Sequence, residues 1–78
     1  MKENEMIVTI TDKGKNQYVI KKGSKFLIQD RYNVFLIHEL TIDDISLNRK
    51  YVKTGNEWHE IENYFEDILI LDIIEIVI

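Results

Sequence analysis

The last eleven residues of the chain, 68–78, read ILILDIIEIVI, and nine of them are apolar. Seven are Ile or Val, whose β-branched side chains lose rotamer freedom in a helix and pack well on a pleated sheet, so this segment is predicted to be a strand. It lacks a regular alternation of apolar and polar residues, which predicts that both of its faces are covered. In so short a chain, that cover must come from a small closed barrel, a two-layer packing or a second subunit.

The 78 residues are predicted to form one domain, 1–78, in which 1–5 are frayed. A domain of this size buries only about 60% of the surface of its unfolded chain, so its stability is marginal. The chain has no cysteine, which excludes disulfides and thiolate metal sites. Fourteen Ile and no Ala favour sheets over helices.

No segment resembles a signal peptide, because the first residues contain no apolar core followed by small side chains. The apolar C-terminal run contains two acids and is shorter than the roughly 20 residues of a membrane-spanning helix. We therefore expect a cytoplasmic protein without a membrane segment. The abundance of Ile, Lys, Asn and Glu is typical of AT-rich coding sequences, as in low-GC bacteria and their phages.

Alternating side chains and glycine-containing turns predict strands at 6–11, 17–21, 25–29, 34–42, 49–53, 57–61 and 68–78. In the strand at 34–42, Val34, Leu36 and His38 share one face and Phe35 and Ile37 the other. A turn is predicted at 12–16, because Gly14 accepts a positive φ. These signals predict an all-β, β-dominated fold: a five- to six-stranded antiparallel barrel or curled sheet, SH3-like in general plan, with one or two short helical turns.

Two details of the pairing are also predicted. If Gly55 and Asn56 form the turn of a hairpin, Lys53 lies opposite Trp58 and Val52 lies opposite His59. A bulge at 73–74 would let both acids of the terminal strand, Asp72 and Glu75, point outward; otherwise one of them lies at a sheet edge or needs a partner. Short helical turns are expected at 42–47 and at 63–66, where a capping side chain precedes a carboxylate by three residues. At 42–47 the alternative is that the strand runs into a loop.

The charges are unevenly distributed: residues 1–39 carry seven basic and five acidic side chains, and residues 40–78 carry three and nine. Lysines on two neighbouring hairpin tips form a candidate nucleic-acid site, because such side chains contact phosphates. The alternative is that they are solvated turn residues that prevent edge-to-edge aggregation. The candidate residues are Lys13, Lys15, Lys21, Lys22 and Lys25.

The acidic half of the chain suggests a different partner. Its carboxylates could imitate the phosphates of a nucleic acid and bind the basic groove of an enzyme, or they could simply keep a solvated face soluble. Aromatic side chains nearby are either interface anchors or the base of the core. The candidate partner-binding residues are Trp58, Glu62, Tyr64, Phe65, Glu66 and Ile76.

No catalytic site is predicted. His38 and His59 lack the second histidine, four residues away, of a metalloprotease zinc site, and His38 is expected to be a neutral, hydrogen-bonded residue of the core or its rim. No serine lies near a base in the sequence, and the acids do not match a calcium loop. We therefore expect no enzymatic activity, no metal and no cofactor.

These observations favour a small non-enzymatic protein-interaction module, such as a phage or mobile-element accessory or inhibitor protein that binds a host protein. The alternative is a nucleic-acid-binding module that uses the lysines. A homodimer through the C-terminal strand is a further expectation, because an apolar edge strand can pair with its own copy across a two-fold axis.

Overall fold

The computed structural model describes residues 6–75, and strands dominate this part of the chain. The elements are β1 (Val8–Thr11), β2 (Gln17–Ile20), β3 (Lys25–Gln29), β4 (Ile37–Thr41), β5 (Asp44–Ile45), β6 (Tyr51–Thr54), β7 (Glu57–Glu60), α1 (Ile61–Glu66) and β8 (Leu69–Glu75). They form three small antiparallel sheets, β1-β2, β4-β3-β8 and β5-β6-β7. The predicted β-dominated class is confirmed, but no closed barrel is found among the described strands, so the barrel or curled sheet of SH3-like plan is not confirmed.

The first sheet is a hairpin whose turn differs in one respect from the prediction. The positive φ, 68°, belongs to Lys15 and not to Gly14. Gly14 is instead needed for close packing, because a Cβ atom there would lie 3.1 Å from Cδ1 of Leu69 at the start of β8. The hairpin turn is therefore packed against the C-terminal strand.

The central sheet has β3 in the middle, with the predicted bounds 25–29. β4 begins at Ile37, three residues later than predicted, because residues 34–36 belong to a loop. On the other side, the pairing of β8 with β3 is interrupted twice, so that Leu71 and Ile74 have no partner on β3. The second interruption lies at 73–74, where a bulge was one of the two arrangements considered.

The C-terminal strand is confirmed over 69–75, but within residues 6–75 its own chain leaves 71–74 exposed and does not cover both faces there. Ile68 and Ile70 are buried, whereas Leu71, Ile73 and Ile74 each expose 41–45% of their surface. The reason is that the core lies under the first part of β8 only, and β3 is its only neighbouring strand in the described part of the chain. Residues 76–78 lie outside the described residues.

The third sheet confirms the predicted hairpin. Lys53 pairs with Trp58 and Val52 with His59, and the two turn residues Gly55 and Asn56 have φ values of 55° and 73°. Positive φ at both central positions is the requirement of a type I′ turn, whose twist matches that of its strands.

The helical turn considered at 42–47 does not form. Asp44 and Ile45 pair with β6 instead, and the Asp43 N–H donates to the Lys53 carbonyl oxygen at 2.8 Å. Strand pairing satisfies these backbone groups while it buries Ile45, which a single helical turn would not do. The second helical turn, expected at 63–66, is found within α1, where Ile61 and Phe65 are four residues apart and both buried.

All three sheets and α1 contribute to one apolar core. It consists of Ile10, Ile20, Phe26, Ile28, Leu40, Ile42, Ile45, Val52, Ile61, Phe65, Ile68 and Ile70. A buried carboxylate joins two of the sheets, because Asp12 accepts hydrogen bonds from the N–H of Asn16 (2.9 Å) and from that of Ile70 (3.0 Å). No helix in residues 6–75 is long and apolar enough to cross a membrane.

Candidate protein-interaction surface

The connection between β3 and β4, residues 30–36, exposes large apolar side chains and is called the apolar loop below. Phe35 is 90% exposed and Tyr32 is 89% exposed. Val34, Leu36 and the first residue of β4, Ile37, are also exposed. Contiguous apolar patches on a protein surface mark interaction sites more often than isolated exposed residues do. The apolar loop is therefore the first candidate for a functional surface.

Side-chain hydrogen bonds from within the loop fix its backbone. One carboxylate oxygen of Asp30 accepts from the N–H groups of Tyr32 (2.9 Å) and Asn33 (2.7 Å). The side-chain oxygen of Asn33 then accepts from the Phe35 N–H at 3.0 Å. Such Asx turns are a common way for Asp and Asn to shape a loop. At the base, the Asp30 N–H donates to the Leu36 carbonyl oxygen at 2.9 Å.

The other carboxylate oxygen of Asp30 lies 2.9 Å from Nε2 of His38. His38 is hydrogen-bonded, as predicted, but it is exposed and does not belong to the core, because β3 is the only strand beside β4 in the described part of the chain. The pKa of Asp30 is held below its ordinary value, first by the hydrogen bond from the Tyr32 N–H, then by those from His38 and from the Asn33 N–H. The carboxylate is therefore ionised when it organises the loop.

An ion pair connects the loop to the end of α1. Nη2 of Arg31 lies 2.8 Å from Oδ2 of Asp67, and the guanidinium also lies 5.6 Å from the centre of the Tyr32 ring. Asp67 is preceded in the sequence by the exposed Glu66. The ion pair between Arg31 and Asp67 therefore joins the apolar loop to the acidic end of α1.

The residues proposed from the sequence as partner-binding lie near α1 and divide into two groups. Trp58, Glu62 and Glu66 are exposed, and Tyr64 is half-buried. Phe65 is fully buried and belongs to the core, so it cannot contact a partner at the surface. Ile76 lies outside the described residues.

The half-buried histidine of this region has a packing role. The ring of His59 stacks on that of Tyr64, with centres 4.2 Å apart and an angle of 16° between the planes. Nε2 of His59 lies 3.8 Å from a carboxylate oxygen of Glu57, which is exposed. Within residues 6–75, no three side chains from His, Asp and Glu are grouped as ligands of a metal ion.

The structure separates the five candidate lysines into two groups. Lys13 and Lys15 lie in the turn between β1 and β2, whereas Lys21 and Lys22 follow β2 and Lys25 begins β3. The two turns are at opposite ends of β2, whose four residues span about 13 Å. Only the first is a hairpin tip, because β2 and β3 belong to different sheets.

A groove of about 270 Å³ lies between β1 and the start of α1. Arg49 and Lys50 contribute positive charge to its lining, and Glu60 and Glu62 contribute negative charge. This mixture favours neither an anionic nor a cationic ligand, so the groove is a weaker candidate for a functional site than the apolar loop.

Sequence reasoning did not identify the apolar loop as a site, because Val34, Phe35 and Leu36 were assigned to the two faces of a strand. The signal that could have identified it is the pair of Asx-turn residues, Asp30 and Asn33, three positions apart. Comparison of the chain with protein-family models, with curated proteins and with solved structures finds no match in any of the three. A function for the protein must therefore be inferred from the geometry of this surface.

Proposed function

We propose that the protein is a non-enzymatic protein-interaction module that binds its partner through the apolar loop. The observation that supports this most strongly is the exposure of Phe35 and Tyr32, at 90% and 89%. Aromatic side chains contribute a disproportionate share of the binding energy at protein interfaces when a partner removes them from water. An apolar loop of this kind gives a monomer no evident benefit unless something covers it.

The fixed backbone of the loop supports the same function. Asp30 and Asn33 already make the hydrogen bonds that define its conformation. A loop that is ordered before binding loses little conformational entropy when it binds, so more of its contact energy contributes to affinity. Such a loop differs from a disordered tail, which must fold as it binds.

The charge around the loop indicates the character of the partner. Glu66 is exposed at the end of α1, the adjacent Asp67 is paired with Arg31 of the loop, and Glu39 is exposed on β4. A partner with an apolar pocket and a basic rim would complement this surface, and opposite charges would accelerate the association. An acidic accessory or inhibitor protein that binds a basic host enzyme, as some phage and mobile-element proteins do, is the form of module that this charge favours.

The experiment that tests the proposal is affinity capture from a lysate of the encoding organism, quantified by mass spectrometry. The test variant is Tyr32→Ser with Phe35→Ser, which removes the two aromatic rings without touching the core. The matched control is Leu47→Ser, because Leu47 is 91% exposed in the turn after β5, outside the apolar loop.

We expect wild type and the Leu47→Ser variant to retain the same specific protein, and the double variant to lose it. Circular dichroism of all three proteins establishes that they are equally folded. A captured protein that binds the double variant as well as it binds wild type would refute the role of the loop.

A further inference from the structure

β4 is an edge strand whose outward backbone groups can be identified from the register. Within residues 6–75 it pairs with β3 alone, and the pairing is unbroken over all five residues. The register continues at both ends, where the Leu36 carbonyl accepts from Asp30 and the Ile42 N–H donates to Ser24, both at 2.9 Å. Even-numbered residues of β4 therefore face β3. Because inward and outward residues alternate in an antiparallel pair, the outward N–H and C=O groups belong to Ile37, Glu39 and Thr41.

No residue in the described range 6–75 hydrogen-bonds to these outward groups. The opposite edge of the same sheet differs. On β8, the outward groups of Ile68 and Ile70 are bonded to the turn at 12–16, and the Ile73 N–H donates to the side chain of Asp72 at 2.9 Å. Bulges further disrupt that edge, which is a known way to prevent strand addition. The described part of β8 is therefore poorly suited to pair with a second copy, whereas the outward groups of β4 have no partner among residues 6–75.

The charges of the sheet indicate what could pair with β4. Leu27 lies opposite Glu39 on one side and opposite Asp72 on the other, so both exposed carboxylates share one face with it. A residue added opposite Glu39 would join this row, where Lys or Arg would be attracted and Glu repelled. A second copy centred on Glu39 would place two glutamates opposite each other. Two positions away, the exposed Ile37 favours an apolar neighbour.

We infer that the outer edge of β4 binds an extended segment of the partner protein as an added strand. That strand carries Lys or Arg opposite Glu39 and an apolar side chain opposite Ile37, and its main chain bonds to the outward groups of β4. The inference rests on the proposed function and specifies how the partner meets the surface beside the apolar loop.

The test is a titration of ¹⁵N-labelled protein with a capped synthetic peptide, Thr-Val-Thr-Lys-Thr-Val-Thr, followed by the amide signals of β4. Its sequence is symmetrical, so it presents Lys and Val on one face in either strand direction. The comparison peptide has Glu in place of Lys. A third peptide carries a methyl group on the main-chain nitrogen of Lys, which removes the backbone N–H donor and keeps the charge of the side chain.

We expect the Lys peptide to shift the amide signals of Ile37, Glu39 and Thr41, and to bind at least about five-fold more tightly than the Glu peptide. The N-methylated peptide should not bind. Glu39→Lys, a change at an exposed position, should reverse the preference between the Lys and Glu peptides.

Three results would overturn the inference. These are unchanged β4 amide signals at millimolar peptide, equal affinity for the Lys and Glu peptides, and a wild-type dimer in light scattering whose β4 signals shift on dilution. If one of them is obtained while capture still depends on Phe35, the apolar loop remains the binding surface and only the added strand is rejected. If the peptide titration fails and capture no longer depends on the aromatic residues of the apolar loop, the proposed function is rejected as well.

Discussion

Asp12 gives the sharpest test of how the sheets are joined. Its carboxylate is almost completely buried and accepts two backbone hydrogen bonds, one within its own turn and one from Ile70 on β8, 58 positions along the chain. The perturbation is Asp12→Ala, which removes both acceptors. Asp12→Asn is the milder companion, because its amide offers one oxygen but turns an NH₂ group toward the other donor.

The magnitude follows from the two N–H groups left without partners. A hydrogen bond to a charged group contributes about 1.5–3 kcal/mol, and a buried donor without a partner costs about 1–3 kcal/mol. The N–H of Ile70 is buried and that of Asn16 is partly buried, so we expect a loss of about 3–5 kcal/mol for Ala and about 1–3 kcal/mol for Asn. The whole domain has a free energy of unfolding of only about 4–12 kcal/mol at its size.

The assay is equilibrium unfolding in urea, followed by far-ultraviolet circular dichroism. The matched control is Asp43→Ala, because the Asp43 carboxylate accepts a single hydrogen bond, from the Gly55 N–H, at an exposed site. Its removal should lower the free energy of unfolding by about 0.5–1 kcal/mol. If Asp12→Ala does not fold, Asp12→Asn supplies the measurement. If neither Asp12 variant loses more free energy of unfolding than Asp43→Ala does, the reasoning is refuted.

Three further predictions concern single side chains. Gly55→Ala should destabilise the protein by about 1 kcal/mol in the same urea assay, because Gly55 has a φ of 55°; no loss would contradict the type I′ turn. Phe65→Ala should cost about 3–5 kcal/mol and Trp58→Ala less than about 1 kcal/mol, since only the first ring is fully buried; equal losses would contradict their placement. The Asp30 carboxyl should titrate below its ordinary pKa of 3.8, because of hydrogen bonds from the loop backbone and from His38, so it stabilises the loop above pH 3.8 and this contribution is lost as the pH falls through the lowered pKa. An NMR titration should show that His38→Ala raises this pKa, and an unchanged value would contradict the hydrogen bond.

Features set by local chemistry could be predicted from the sequence. The hairpin of β6 and β7 was predicted residue by residue, because Gly55 and Asn56 accept the positive φ values that a two-residue turn requires, and the turn fixes the register. The bulge at 73–74 was one of two arrangements considered, because Asp72 and Glu75 lie three apart in an apolar strand. In both cases the feature is determined by residues that are close together in the sequence.

Features set by distant contacts could not be predicted in this way. The alternation of apolar residues continues from Val34 into β4, but the hydrogen bonds of Asp30 and Asn33 take the chain out of the strand before Ile37. The exposure of the second half of β8 depends on where the core ends, which one strand's sequence does not specify. A single barrel or curled sheet was expected from the number of short strands, whereas the described strands group into three sheets.

The candidate site divides in the same way. Sequence composition identified aromatic residues near α1 but could not distinguish the buried Phe65 from the exposed Trp58, because both are large and apolar and only tertiary packing separates them. Of the two exposed aromatic residues of the apolar loop, Phe35 was missed because an alternating pattern placed it in a strand, and Tyr32 because residues 30–33 were predicted only to connect two strands.

The central claim is that the apolar loop is ordered and holds Phe35 in solvent before any partner binds. The most direct measurement is ¹⁵N relaxation of the free protein at low concentration, combined with the effect of a soluble paramagnetic probe on the Phe35 ring protons. Order parameters near those of rigid backbone, about 0.85, across residues 31–36 and strong relaxation of the ring by the probe are the expected results. Order parameters below about 0.6, or a ring protected from the probe, would contradict the claim.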